Sequence, residues 1–178
     1  MEIMDVCGRE FQVIRLLGRG KGGYSYLVTD GENVFVLKQI HHEHCAYYTF
    51  GDKLQSELRD YERLMAIGIP MPRMLAVDVE KERILKEYVE GDTIFDLVLR
   101  DEMKSEYIEQ MCAMCEKLYP ANTNIDYFPT NLIVRDGSLV YVDYECNDYS
   151  DQWNFENWGI RYWSKTPEFL QYLEEQKG

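Results

Sequence analysis

Along the first forty residues, apolar and polar positions follow short extended runs broken by glycine. Phe11-Gln-Val-Ile-Arg-Leu-Leu17 predicts a strand that leads into Gly18-Arg-Gly20-Lys-Gly22-Gly23. Residues 24–29 and 34–40 predict two more, joined by the turn Asp30-Gly31, so the start of the chain is expected to be an antiparallel meander. The period then changes. Leu54, Leu58, Tyr61, Leu64 and Met65 recur at helical spacing between Asp52 and Ile67, and Gly68 and Pro70 stop the helix. Residues 73–79 and 82–87 predict a further strand pair about Glu80-Lys81. Thr93–Leu99 predicts a short helix. Lys104–Tyr119 predicts a longer one, with Tyr107, Ile108, Met111, Cys112, Cys115 and Leu118 on one side and Pro120 as its stop. The polar loop Asn124–Asn131 precedes an apolar strand, the tight turn Asp136-Gly137 and a second strand ending at Asp143, which is a hairpin pattern. The aromatic-rich residues 151–163 and the segment Pro167–Gln176 complete the pattern as two helices, and the whole reads as α+β.

Composition narrows the class. With 178 residues, 46% apolar and 13% aromatic, the chain can bury a real core as one domain or two closely packed lobes. A net charge of −13 argues against non-specific binding to nucleic acid or to an anionic membrane. No apolar run approaches the length of a bilayer span, and Met1–Asp5 lacks the basic start of a signal peptide. Five cysteines at irregular spacing make a poor disulfide framework, so a reduced, cytoplasmic setting is expected.

The hairpin carries the most informative side chains. Folding back at Asp136-Gly137 is expected to bring Asp126, Asn131 and Asp143 to one rim. Two carboxylates and a carboxamide are hard oxygen ligands suited to Mg²⁺, with one carboxylate left to accept a proton. Gly18, Gly20 and Gly23 allow backbone N–H groups to approach phosphate oxygens, and the strand that follows sets the loop apart from a dinucleotide fingerprint. Lys38 lies inside a β-branched strand, where burial demands an anionic partner. Glu57 on the following helix is the first candidate, and Glu62 competes. His41-His-Glu-His44-Cys45 reads as a solvated connector, with zinc as the alternative. Cys112-Ala-Met-Cys115 lacks a second pair and reads as core. Base stacking on the tryptophans of 151–163 runs against the net charge.

Taken in order, these residues resemble the protein-kinase-like superfamily. Asp126 and Asn131 keep the spacing of H-R-D-x-x-x-x-N, Asp143 stands where D-F-G begins, and Phe35-Val-Leu-Lys38 is similar to V-A-I-K behind a G-x-G-x-x-G loop. The wording is nearest the minimal atypical kinases of bacterial type, RIO-like or antibiotic- and choline-kinase-like. The resemblance implies a two-lobed kinase-like fold in a single domain, 1–178. Its N-terminal lobe, 1–87, would be an antiparallel sheet plus one helix. A hinge at 88–91 would lead to a small, mainly helical C-terminal lobe, 92–178. It further implies ATP and Mg²⁺ as cofactors. Gly18, Gly20, Gly23 and Lys38 would contact the nucleotide phosphates, Glu57 would hold Lys38, and the hinge backbone at Glu87 and Val89 would meet adenine. Asn131 and Asp143 would bind metal and Asp126 would act as base, with Glu156 as a brace for the catalytic loop. Four departures stand out: Asn124 in place of the loop histidine, Ser25 in place of a valine, Lys86 before the hinge, and Tyr144-Glu145 in place of Phe-Gly. The implied activity is transfer of the ATP γ-phosphate to a hydroxyl acceptor. The short stretches around the hairpin favour an atypical serine/threonine protein kinase over a small-molecule kinase. A nucleotide-binding pseudokinase scaffold, or an acidic interaction module that binds no nucleotide, are the readings from other classes.

Overall fold

A computed structural model describes residues 1–20, 22–42 and 52–177. The chain divides into two compact units, Met1–Arg59 with Pro72–Tyr88, and Asp60–Met71 with Val89–Gly178. No helix among the described residues is long and apolar enough to cross a membrane.

The first unit is a six-stranded antiparallel sheet. Its strands are β1 (Ile3–Val6), β2 (Arg9–Arg19), β3 (Gly23–Thr29), β4 (Val34–Ile40), β5 (Met74–Asp78) and β6 (Arg83–Glu87), in the order β1-β2-β3-β4-β6-β5. β1 is an addition to the strands expected from sequence; it is only four residues long, but Met4 and Val6 are buried. The sheet curls until its outer strands meet. The Cys7 N–H donates to Asp78 Oδ2 (2.8 Å), Arg83 Nη1 donates to the Asp5 carbonyl (2.7 Å), and Lys81 pairs with the Asp5 carboxylate. These bonds occupy strand edges that would otherwise present unpaired backbone.

Alternation along β4 sorts its residues onto two faces. Phe35 and Leu37 point into a core of Met4, Val6, Phe11, Val28 and Leu85. Lys38 and Ile40 belong to the other face, where Ile40 and Ile84 pack against Leu54 and Leu58 of α1 (Lys53–Ile67). The apolar stripe read on α1 is mostly inward, with Leu54 and Leu64 buried; Met65, at its edge, is exposed.

In the second unit, α2 (Ile94–Leu99) follows the two-residue strand β7 (Asp92–Thr93), and the Thr93 hydroxyl caps it by accepting from the Asp96 N–H. α3 (Ser105–Leu118) buries Tyr107, Met111, Met114, Cys115 and Leu118. β8 (Thr123–Ile125) pairs with β11 (Cys146–Asp148), and β9 (Leu132–Arg135) with both β10 (Ser138–Tyr141) and β7. Asp136 (φ 51°) and Gly137 (φ 80°) supply the two positive φ angles a tight hairpin turn requires. Gln110 of α3 grips that hairpin from the side: Nε2 donates to the Gly137 carbonyl and Oε1 accepts from the Leu139 N–H, both at 2.8 Å.

Residues 151–163 depart from the expected helix. They form two short 3₁₀ turns, Asp151–Trp153 and Gly159–Tyr162. Asparagine side chains bond the backbone here alongside its own turn bonds. Asn154 Oδ1 accepts from the Asn157 N–H (2.7 Å), and Asn157 Nδ2 donates to the Asp151 carbonyl (2.9 Å). Phe155 and Trp163 are buried while Trp153 is half exposed. α4 (Pro167–Lys177) closes the chain.

Two outcomes are expected for the first unit. A Cβ on Gly23 would overlap the Gln39 carbonyl of β4. Gly23→Ala should therefore lower the unfolding free energy by about 1–3 kcal/mol in urea titrations. The carboxyl of Asp78 is held below its ordinary 3.8 by the N–H groups of Lys81 and Cys7, and that of Asp5 by Lys81. Because their folded values are depressed, their contribution is present above pH ~4 and is lost as pH falls further. Circular dichroism against pH should show acid unfolding that Asp78→Asn makes less steep.

Candidate functional site

In the first unit the site begins with a partly buried ion pair. The Lys38 ammonium meets Glu57 Oε1, with side chains only 16% and 11% exposed. The other carboxylate oxygen, Glu57 Oε2, is buried with no hydrogen-bond partner among the described residues. Glu62 is exposed, and its stretch of α1 belongs to the second unit, so Glu57 is the partner of Lys38.

The glycine loop folds over the same strand. The Gly20 N–H donates to the Gly23 carbonyl (2.9 Å), and a Cβ on Gly22 would stand 3.8 Å from Lys38 Nζ. Gly18, in β2, has open space around the position a side chain would take. His41 braces the loop twice, through its N–H to the Gly22 carbonyl (3.2 Å) and its Nε2 to the Gly20 carbonyl (3.0 Å). Lys53 Nζ in turn donates to the His41 carbonyl (2.7 Å). His42 pairs with Glu82 (2.6 Å); Glu43, His44 and Cys45 of the zinc alternative lie outside the described residues, as does Lys21. Glu87 ends β6 opposite Phe35, its N–H bonded to the Arg73 carbonyl (2.9 Å). Val89 is buried at the start of the following segment of the second unit.

In the second unit, strand register assembles the acidic group. Ile125 pairs with Cys146, so the next step of the antiparallel register sets Asp126 beside Glu145. Asp143 follows directly from β10. Carboxylate oxygens of Asp126, Asp143 and Glu145 all lie within 4.8 Å of one another. Asp126 Oδ1 accepts from the Phe128 N–H (3.1 Å), Asp143 Oδ1 accepts from the Glu145 N–H (3.3 Å), and Asn131 Nδ2 donates to the Asp126 carbonyl (3.4 Å). Oxygen donors at this spacing fit a small hard cation.

Three side chains that the sequence reading did not single out hold this group. Tyr141 is fully buried, and its hydroxyl accepts from the Asp126 N–H (3.1 Å) while donating to the Glu145 carbonyl (2.7 Å). Burial, then the Asp143 carboxylate, push its ionisation far above the usual phenol value, so it stays a neutral link. Trp163 Nε1 donates to the Tyr127 carbonyl (2.8 Å). Arg63 of α1 donates to Thr123 Oγ1 (3.1 Å), the Asn122 carbonyl (2.9 Å) and Asp148 (3.0 Å). The buried Asn124 also braces the loop, accepting from the Tyr127 hydroxyl (3.0 Å) and donating to the Ser150 carbonyl (3.0 Å). Glu156 accepts from the Tyr119 hydroxyl (2.6 Å), just beyond the end of α3. Burial pushes the Cys115 thiol up to about 11, in keeping with a core role.

No family model matches the chain. Over 98 residues it is 26% identical to the KEOPS complex subunit Bud32 of Pyrococcus abyssi (strain GE5 / Orsay). The match covers 53% of this chain and 44% of that protein, so it spans less than half of that protein's length. The similarity supports the kinase-like superfamily and no finer family. The α+β architecture with its N-terminal antiparallel sheet is compatible with such a fold.

Replacing Tyr141 by Phe leaves the Asp126 N–H and the Glu145 carbonyl without their shared partner. Urea unfolding of Tyr141→Phe should show a loss of about 1–3 kcal/mol at unchanged slope. An unaltered midpoint would show that the hydroxyl carries none of this structure.

Proposed function

We propose that the chain is an ATP-dependent phosphotransferase that moves the γ-phosphoryl group to a hydroxyl, foremost a serine or threonine of a protein. The observation that carries this reading is the convergence of the Asp126, Asp143 and Glu145 carboxylates on the loop that also contains Asn131. The partly buried Lys38–Glu57 pair beside the glycine loop supports it independently. A buried ion pair is weak support for stability, and a lysine held rigidly at a phosphate-approaching loop has a chemical use.

The work divides between the two units. In the first, backbone N–H groups of Gly18, Gly20 and Gly23 would receive phosphate oxygens, and Lys38 would neutralise them with Glu57 fixing its position. Backbone groups at Glu87, and at Val89 where the second unit begins, would bind adenine. In the second, Asp143, Asn131 and Glu145 would hold Mg²⁺. Bound there, the ion would offset charge on the transferring phosphate oxygens. Asp126 would accept the proton of the attacking hydroxyl as the oxygen–phosphorus bond forms and the bond to the departing ADP oxygen breaks. Glu145 adds a carboxylate where Phe-Gly of ordinary kinases has none. A second reading, a nucleotide-binding scaffold, draws on the relative's being named a complex subunit, which adds a protein partner to either version.

Phosphate transfer or ATP consumption with Mg²⁺ should fall at least ~10²-fold in Asp126→Ala, Asp143→Ala and Lys38→Met. Chelating the metal should abolish it. Mg·ATP should raise the thermal midpoint of the wild type and of Asp126→Ala, and not that of Asp143→Ala. Turnover that survives in Asp126→Ala would remove the base. A shift without turnover in any form would favour the scaffold.

A further inference from the structure

Beside Asp126, within the second unit, lies a hollow of about 380 Å³ lined by Asp126, Glu145, Asn147, Asp148, Trp153 and Trp158 among others. A second, of about 500 Å³, shares Trp153 and Trp158 and continues along Asp151, Gln152, Asn157 and Arg161. Neither is used by the nucleotide and metal chemistry proposed above, beyond Asp126 and Glu145 at one end.

The lining chemistry is uneven. The first hollow has three carboxylates and no lysine or arginine among its lining residues. Arg63 reaches Asp148 from outside at 3.0 Å, yet the Asp148 side chain is 78% exposed and still presents negative charge to solvent. The tryptophans meet edge to face, with centroids 5.8 Å apart and planes at 71°, and Trp153 is 52% exposed. An edge-to-face pair leaves an indole face open, and an open indole face next to carboxylates attracts a guanidinium or ammonium group. Arg161 lines only the second hollow, so the negative end is the one at the proposed base.

We infer that the acceptor is an extended protein segment with arginine or lysine close to its phosphorylated hydroxyl, the cation held by Asp148 and the Trp153–Trp158 pair. The inference rests on the phosphotransfer reading, since it names the acceptor of that site. Two hollows that share the tryptophan pair suit an extended chain running past it better than a compact amine filling one of them. The step itself moves the γ-phosphoryl group from ATP to the segment's hydroxyl oxygen, sends the hydroxyl proton to Asp126 and releases ADP.

The test uses the whole chain and two fluorescent peptides of one length, each with a central serine flanked by arginines or by glutamates. Affinity is read by anisotropy at low salt without nucleotide, and phosphate transfer is read separately with Mg·ATP. The arginine peptide should bind at least about tenfold more tightly, equivalent to roughly 1.4 kcal/mol, and should be the one phosphorylated. Asp148→Asn and Trp153→Ala should each weaken its binding by about tenfold. Both side chains are more than half exposed, so the variants should fold, which circular dichroism checks. Their ATP consumption without peptide should match the wild type. Equal affinities, or a preference for glutamate, with ATP turnover intact would overturn the acceptor assignment and leave the phosphotransfer reading standing. Phosphorylation of choline with the arginine peptide ignored would overturn it in favour of a small amine. Arginine-selective binding with no Mg-dependent turnover at all would sink the phosphotransfer reading, and the acceptor assignment with it.

Discussion

The register of β4 is the constraint from which the first unit's chemistry follows. Leu37 and Lys38 are neighbours in the chain and point to opposite faces, one into the core of Met4, Val6 and Phe11, the other towards Glu57. A slip of one residue would exchange them and bury an ammonium among apolar side chains. The cross-strand partners of β4, Ser25 on one side and Ile84 on the other, and the curling that joins Cys7 to Asp78, all serve a single registration. Held that way, the lysine meets a carboxylate whose second oxygen has no partner among the described residues. Such an arrangement is poor economy for stability alone.

The second unit applies the same logic with backbone pairing in place of side-chain alternation. β8 and β11 are three residues each, and their pairing puts Asp126 beside Glu145. Like charges brought so close repel, and the structure answers with neutral or cationic groups rather than with apolar ones. The Tyr141 hydroxyl links the two backbones, N–H groups of Phe128 and Glu145 face two of the carboxylates, and Arg63 grips β8 and Asp148 from α1. What remains is an acidic pocket suited to a cation, with an aromatic, negatively charged hollow alongside.

Much of this was legible in residue order. The glycine loop, the strand bearing Lys38, the α1 stripe and the hairpin at Asp136-Gly137 were all readable, because period-two alternation, helical spacing and turn chemistry act within a few residues. Pairing Lys38 with Glu57 rather than Glu62 was a choice between two positions on one helix, which the fold settled by exposing Glu62. The same local rules misled at residues 151–163, where aromatic density suggested a helix. There Asn154 and Asn157 bond the backbone themselves, and the buried aromatics are scattered rather than gathered on one face. β1 escaped notice because four residues are too few to show a period.

Local order was thus enough to place Lys38 on a strand, Asp126 and Asn131 on a loop and Asp143 at a hairpin end. It could not supply Glu145 as a third carboxylate, Tyr141 as the neutral link, Trp163 as the clamp on the loop, or Trp153 and Trp158 as walls of a hollow beside Asp126. Each of those depends on residues far apart in the chain meeting through strand pairing and packing. Alternation and turn preference say which way a side chain points from its own strand, and only the folded backbone says what stands opposite.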